Sequence, residues 1–229
     1  MKKILFTLTF VLMGLSMQAQ TFSKNELKQH SGQGRQSDSD YAAVVAKEHP
    51  LNEQSQLVLV SIKEYPGQTK KQLYDKVYNW IIGMSSDSKS AIQVADTLNG
   101  KIQTRCFIQQ IAKRTMGDNK YKVHIRPLLT FDFKDGKVRF TFTLDSYAVL
   151  KKSDTDEAIF FGGGIAFTDG GKDKDNQVWP LSACYPYAEK PSHPKVTSSR
   201  ALINSVAAYR ILEERVSIML QQEAKKDNW

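Results

Sequence analysis

The residues best suited to contact a ligand lie in one stretch rich in glycine, proline and aromatic residues, over residues 150–197. Aromatic side chains there can line a sugar or peptide site, or they can hold a loop against a sheet, and we favour the second role. The stretch nevertheless contains the candidate ligand-binding residues of the chain. These are Phe160, Phe161, Trp179, Tyr185 and Tyr187.

Three carboxylates, Asp132, Asp145 and Glu157, are the candidates for acid–base catalysis. Hydrolysis of a glycosidic polymer requires two carboxylates that converge in one cleft, which a sequence does not reveal. The serines form no GxSxG motif, and no cysteine stands in a recognisable nucleophile context. No residue is therefore assigned as catalytic, and a hydrolase of envelope polymers is an alternative to a binding protein.

Metal and cofactor motifs are missing from the sequence. The histidines, His30, His49, His124 and His193, have neither i,i+4 nor HExxH spacing, so we predict no metal site. The run at 169–176 lacks the Gly and Glu positions of an EF-hand loop and contains two lysines, which favours a solvated turn. We expect no cofactor.

The two cysteines, Cys106 and Cys184, permit one disulfide in an oxidising compartment. It would close a loop of about 80 residues and contribute about 4 kcal/mol in the chain-entropy model. Two separate buried thiols are the alternative, and we favour it because free cysteine is among the most buried residue types.

The first 19 residues have the pattern of a secretory signal peptide. Lys2 and Lys3 precede the apolar run 4–13, and small residues lead to a cleavage site near Ala19–Gln20. The run is too short to cross a bilayer, which takes about 20 apolar residues. We therefore expect an exported protein, periplasmic or secreted, without a transmembrane segment.

The net charge of the chain is +8, and without Lys2 and Lys3 it becomes +6. The basic residues are not clustered in one segment of the sequence, so nucleic acid is a poor candidate partner.

Residues 20–40 are polar, with Phe22 and Leu27 as the large apolar exceptions, and predict a flexible leader. Residues 41–229 predict a single α+β domain with the irregular excursion at 150–197. Thr69 and Gln72 form a capping-box pattern, so a helix is predicted over 69–83, and apolar spacing predicts a long C-terminal helix over about 198–224. Strands are predicted at 57–62, 91–96, 101–108, 121–126, 129–133, 138–144 and 158–161.

The segment from Tyr41 to about Val149 resembles a bacterial exported family, the domain of unknown function 4468. The resemblance rests on the strand before Tyr65–Gly67, the helix from Lys70 to Trp80, and the turns at Asn99–Gly100 and Asp135–Gly136. It implies a fold like the TATA-binding protein: a curved antiparallel sheet with helices on one face. It implies no activity, and it gives no reason to expect DNA binding, because a fold does not determine a function.

We therefore expect a sheet of four to six antiparallel strands, with the helices at 69–83 and 198–224 packed on one face. The leading hypothesis is a non-enzymatic envelope protein that binds an envelope protein or a hydrophobic small molecule. An assembly subunit is a further alternative, which an exposed edge strand or a large apolar patch would favour. The oligomeric state is left open.

Overall fold

Three long antiparallel strands, each bent once, form the centre of the fold. The computed structural model describes residues 22–85, 92–116, 119–153, 165–166, 176–184 and 195–222. The helices are α1 (Lys24–Ser31), α2 (Asp38–Glu48), α3 (Lys70–Met84), α4 (Leu181–Cys184) and α5 (Val196–Gln221). The strands are β1 (Leu57–Glu64), β2 (Ile92–Asp96), β3 (Lys101–Arg105), β4 (Phe107–Met116), β5 (Asn119–Ile125), β6 (Leu128–Lys134), β7 (Lys137–Leu144), β8 (Ser146–Ser153), β9 (Ile165–Ala166) and β10 (Asn176–Pro180).

The strands form two five-stranded antiparallel sheets, in the orders β1-β7-β6-β3-β2 and β10-β8-β5-β4-β9. β3 continues into β4 at Cys106, β5 into β6 at residues 126–127, and β7 into β8 at Asp145. The three continuing strands have the same order in both sheets, so the sheets are two halves of one bent surface. At the bend, the amide of Cys106 donates to the carbonyl of Pro127 at 3.3 Å.

The predicted fold class is confirmed. The prediction of one sheet with four to six strands gives too few strands, because the described residues form two sheets of five strands each. The described residues contain ten strands, because each central strand crosses the bend and the edges carry further short strands. β4 extends to Met116, well beyond the predicted end at 108. The prediction stops early because residues 109–116 are mostly polar and show no clear alternation of apolar and polar residues. The predicted strand at 158–161 lies outside the described residues.

One face of the first sheet carries a phenylalanine cluster that both α3 and α5 cover. Strand alternation places every second residue of β6 and β7 on this face. Tyr74 of α3 lies 5.5 Å from the Phe133 ring, and Tyr209 of α5 lies 5.7 Å from the Phe140 ring. Both predicted helices therefore pack on the same face, as expected. The members of the cluster are Phe131, Phe133, Phe140 and Phe142, all buried.

The prediction of a flexible leader over 20–40 is wrong for residues 22–40. Residues 24–31 form α1, whose capping box joins the Ser23 hydroxyl to the Glu26 amide at 3.0 Å. Phe22 and Leu27, the apolar exceptions in the polar segment, are buried in the core. The Ser23–Glu26 pair is a capping-box signal that the sequence already contained. The polar composition did not prevent a helix here, because α1 is also stabilised by a partner far along the chain.

That partner is the charged side of α5. The Arg215 guanidinium pairs with the Glu26 carboxylate at 2.6 Å and lies 5.0 Å from the Phe22 ring. Arg210 donates to the carbonyls of His30 and Ser31 at 2.9 and 3.1 Å. α5 is thus enclosed between the sheet and α1 with α2, which explains why so many of its residues are buried. Among the described helices, none carries an uninterrupted apolar stretch of the length that a membrane span requires.

The docking of α1 should weaken as the pH rises. The hydrogen bond of His30 to the Glu26 carbonyl, and then its pairing with Glu214 at 2.8 Å, raise the pKa of His30 above 6.5. A raised folded-state pKa stabilises the protein fully below the unfolded value and loses that contribution as the pH passes the folded value. We expect His30→Gln to cost more stability at about pH 5.5 than at about pH 8. Urea unfolding of both proteins measures this, and a cost that is equal or larger at the higher pH would contradict it.

Candidate binding groove

Trp179 is the one candidate aromatic residue that falls within the described ranges. It lies on β10, opposite Tyr147 of β8. Phe160, Phe161, Tyr185 and Tyr187 lie outside the described residues, as does Glu157 of the candidate acids.

A groove of about 520 Å³ opens beside Trp179, where the second sheet meets α4 and the start of α5. This volume lies within the range of small-molecule sites, roughly 300–1,000 Å³. β4, β5, β10, α4 and the first turn of α5 all contribute. The lining residues are Arg114, Tyr121, Gln177, Trp179, Pro180, Ala183, Cys184, Lys195, Thr197 and Ser198.

β10 and the short helix α4, which follows it directly, are held in place at the groove by the second sheet. Alternation along β10 directs Trp179 toward the groove, while its neighbour Val178 is 66% exposed. The amide of Leu181 then donates to the carbonyl of Asp145 at 3.1 Å, which anchors α4 at the bend. Leu181 is itself fully buried. The floor of the groove is therefore held by backbone pairing and by the core.

One side of the groove is apolar. Tyr121 and Trp179 are half-buried and pack against the core, and Cys184 is buried. Burial raises the pKa of the Cys184 thiol, with Lys195 partly opposing the shift. A protonated, buried thiol is a poor nucleophile, so Cys184 contributes apolar surface here.

The other side is the N-terminus of α5. Its N-cap residue, Lys195, makes no side-chain capping hydrogen bond. The amides of the first helical turn lack intrahelical acceptors, and the helix dipole makes this end partly positive. The hydroxyl of Ser198 donates to the Lys195 carbonyl at 3.1 Å. Such an end is suited to a carboxylate or phosphate.

Thr197 adds an unsatisfied hydroxyl at the same end. The residue is 7% exposed, lines the groove, and its Oγ1 has no hydrogen-bond partner among the described residues. A buried hydroxyl without a partner is costly, of the order of 1–3 kcal/mol. An anionic group in the groove would accept this hydrogen bond.

Two basic side chains frame the polar end. Arg114 is the cross-strand partner of Tyr121, and the Lys195 ammonium lies 3.5 Å from the Ala183 carbonyl. None of the described lining residues is acidic. The groove therefore combines an apolar aromatic side with a positive end.

The candidate acids do not form a catalytic pair. Asp132 pairs with Arg139 at 2.9 Å on the first sheet, and Asp145 accepts from the Ser146 hydroxyl at the bend. Asp145 follows Arg139 by six residues along β7, which at about 3.3 Å per residue is roughly 20 Å. Paired glycosidase carboxylates lie within about 10 Å of each other. Asp132 and Asp145 therefore do not converge in one cleft, and the third candidate acid, Glu157, lies outside the described residues.

The two cysteines are free thiols in the structure, and both are buried. Cys106 sits at the bend between β3 and β4, and burial raises the pKa of its thiol strongly. Across the described ranges, no three His, Cys, Asp or Glu residues are grouped as a metal site requires.

Sequence reasoning missed Arg114, Thr197 and Ser198. The sequence pattern predicts a C-terminal helix from 198, whereas α5 begins at Val196. The hydroxyl-rich stretch 197–199 at the start of a long helix was the available signal, since such residues favour helix starts. Arg114 follows from the length of β4, which the sequence pattern did not show.

Comparison with known proteins agrees with this architecture. Residues 61–147 match the model of a domain of unknown function, DUF4468, with a TBP-like fold. The family resemblance is confirmed over this segment. None of the curated proteins compared with the chain matches it.

Two solved structures are similar to the chain. A TBP-like protein from Parabacteroides distasonis ATCC 8503 is 10% identical, with a TM-score of 0.51 over 77% of this chain and 99% of that one. A DUF4468 family protein from Bacteroides ovatus ATCC 8483 is 12% identical, with a TM-score of 0.45 over 79% of this chain and 98% of that one. At 10% identity, the first similarity shows the fold alone.

Proposed function

We propose that this chain, whose residues 61–147 carry a TBP-like domain of unknown function, is an exported binding protein for a small amphipathic anion. The apolar part of the ligand lies against Trp179 and Tyr121, and its carboxylate or phosphate lies at the N-terminus of α5. The signal-peptide pattern of residues 1–19 supports export. The unpaired, buried Thr197 hydroxyl beside an apolar groove is the observation that carries the proposal.

The two sides of the groove have complementary tasks. Burial of alkyl or aromatic surface on Trp179 and Tyr121 supplies affinity, at about 25 cal/mol per Å² of apolar area. The helix end, with Arg114 and Lys195 nearby, supplies orientation and selectivity for an anion. A wholly apolar ligand would leave the Thr197 hydroxyl and the helix amides unpaired.

The direct test compares octanoate with octanamide, which has nearly the same shape but no charge. The chain without its predicted signal peptide, residues 20–229, is called the mature chain; it is labelled with ¹⁵N and titrated with each compound, and the chemical shifts of the amide and indole groups are followed. We expect octanoate to bind at least tenfold more tightly and to shift the Trp179 indole and the Thr197 and Ser198 amides. Equal affinity for both would refute the anion site. Shifts elsewhere, or no saturable shift at all, would refute the groove as the site.

Replacement of Thr197 by valine separates binding from stability. Valine keeps the shape and removes the unpaired hydroxyl, so the free energy of unfolding should be unchanged or higher by up to about 1 kcal/mol. Octanoate affinity should fall about tenfold, the loss of one hydrogen bond to a charged group. Urea unfolding and the same titration measure the two effects. A loss of stability of more than about 1 kcal/mol would show that the hydroxyl has a protein partner.

A further inference from the structure

A second cavity, of about 530 Å³, lies between α1, β4 and α5, apart from the groove at Trp179. Phe22, Leu27 and Ile111 contribute buried apolar surface to its floor. The cavity shares none of its lining residues with the groove. It exists because α1 docks on α5 rather than extending as a free leader.

Cationic side chains surround the opening of this cavity. Lys24 and Lys28 are four residues apart on α1, and so lie on the same side of that helix. Lys113 of β4 faces them. None of these three forms an ion pair with another described residue. Arg200 of α5 is also at the rim, where its guanidinium bonds to Asp38 at 2.7 Å. No described lining residue is acidic, so the cavity attracts anions.

The wall formed by β4 is bulged at this point. Ile108 lies opposite Ile125 and Ala112 opposite Val123, so four steps along β4 match two along β5. Gln110, inside the bulge, has a φ of 51°, a left-handed conformation that is unfavourable for a residue with a side chain. Bulges and strained residues often direct side chains into sites of function.

The bulge brings amide side chains to the cavity. Gln109 and Gln110 line it from β4, and Asn204 lines it from α5. The Asn204 amide donates to the carbonyl of Ile111 at 2.5 Å, which fixes its position on the bulged strand. Amides both donate and accept hydrogen bonds, as sugar hydroxyls do, while the rim ammonium groups suit carboxylates.

We infer that this cavity is a binding site for an acidic saccharide, with carboxylates at the lysine rim and hydroxyls at the amides of Gln109, Gln110 and Asn204. The site is independent of the groove and of its proposed ligand. The volume is sufficient for a small saccharide. The strain at Gln110 is retained because it aims the amide at the ligand.

The test uses trigalacturonate, a carboxylated trisaccharide, with neutral maltotriose and inorganic phosphate as comparison probes. The side-chain NH₂ signals of Gln109, Gln110 and Asn204 in the ¹⁵N-labelled mature chain report entry into the cavity. We expect trigalacturonate to shift these signals in a saturable manner, and the other two probes to leave them unchanged. The same shifts with maltotriose would refute the role of charge, and with phosphate the role of the sugar. Shifts confined to backbone amides near lysines would refute the cavity.

A pair of charge-matched double variants separates the site from general attraction. Lys28→Gln with Lys113→Gln should weaken trigalacturonate binding at least tenfold. Lys47→Gln with Lys134→Gln removes the same charge at exposed positions outside the cavity and should change it less than twofold. Equal losses in both double variants would overturn the inference.

The variant Gln110→Gly tests the reason for the strain. Glycine adopts the left-handed conformation readily, so the Tm should be equal to or above that of the wild type. Affinity for trigalacturonate should fall about tenfold because an amide is lost. A lower Tm with unchanged affinity would show that Gln110 has a purely structural role.

Discussion

Phe142→Ala is expected to lower the free energy of unfolding by about 3–5 kcal/mol. Phe142 is fully buried on β7, and its ring lies 6.0 Å from that of Tyr209 on α5. Its cross-strand neighbours, Leu59 and Leu129, are also buried, so the cavity left by the substitution cannot collapse easily. Urea unfolding followed by circular dichroism measures the change.

The matched control is Ile62→Ala on the neighbouring strand β1. Ile62 is 60% exposed on the face that the helices leave uncovered. Its removal should cost less than about 1 kcal/mol, mainly through strand propensity. If both substitutions cost the same, the assignment of the phenylalanine face as the core would be wrong.

Trp179→Ala is expected to weaken octanoate binding about 10- to 100-fold, the size of a typical aromatic hot spot. The indole supplies much of the apolar side of the groove and is held by the pairing of β10 with β8. Because Trp179 is only half-buried, the protein should remain folded. Isothermal titration of the mature chain measures the affinity, and its circular dichroism spectrum reports the fold.

Val178→Ala provides the control for Trp179→Ala. It changes the adjacent residue of the same strand, which is largely exposed and does not line the groove. Its octanoate affinity should equal that of the wild type. A comparable loss of affinity in this variant would mean that β10 acts through its conformation and not through the indole.

The sequence correctly predicts those helices and strands whose formation depends on residues that are close together in the chain. Thr69 and Gln72 placed the start of α3, and the alternation of 138–144 placed β7, because capping and strand pleating depend on neighbours in sequence. The family resemblance supplied the curved sheet with helices on one face. These features needed no knowledge of distant contacts.

The rest depends on contacts between residues far apart in the chain. α1 is stable against α5, whose Arg215 is 189 residues from Glu26, and a polar composition alone does not show such a partner. The bulge at Gln110 follows from the pairing of β4 with β5. Thr197 lines a groove only because α4 and β10 pack beside the start of α5. The spacing of residues along the sequence does not show this contact.

The two proposed sites lie on either side of the same pair of elements. Lys113 and Arg114 are adjacent in β4, yet the first lines the cavity and the second lines the groove, because successive side chains of a strand point to opposite sides. The beginning of α5 serves both sites, through Thr197 and Ser198 on one and through Arg200 and Asn204 on the other.

A crystal structure of the mature protein grown with octanoate would locate the ligand in the molecule. The proposal predicts the carboxylate within hydrogen-bond distance of Thr197 Oγ1 and the first amides of α5, with the alkyl chain against Trp179. Octanoate bound elsewhere, or a groove filled by the protein's own side chains, would contradict it.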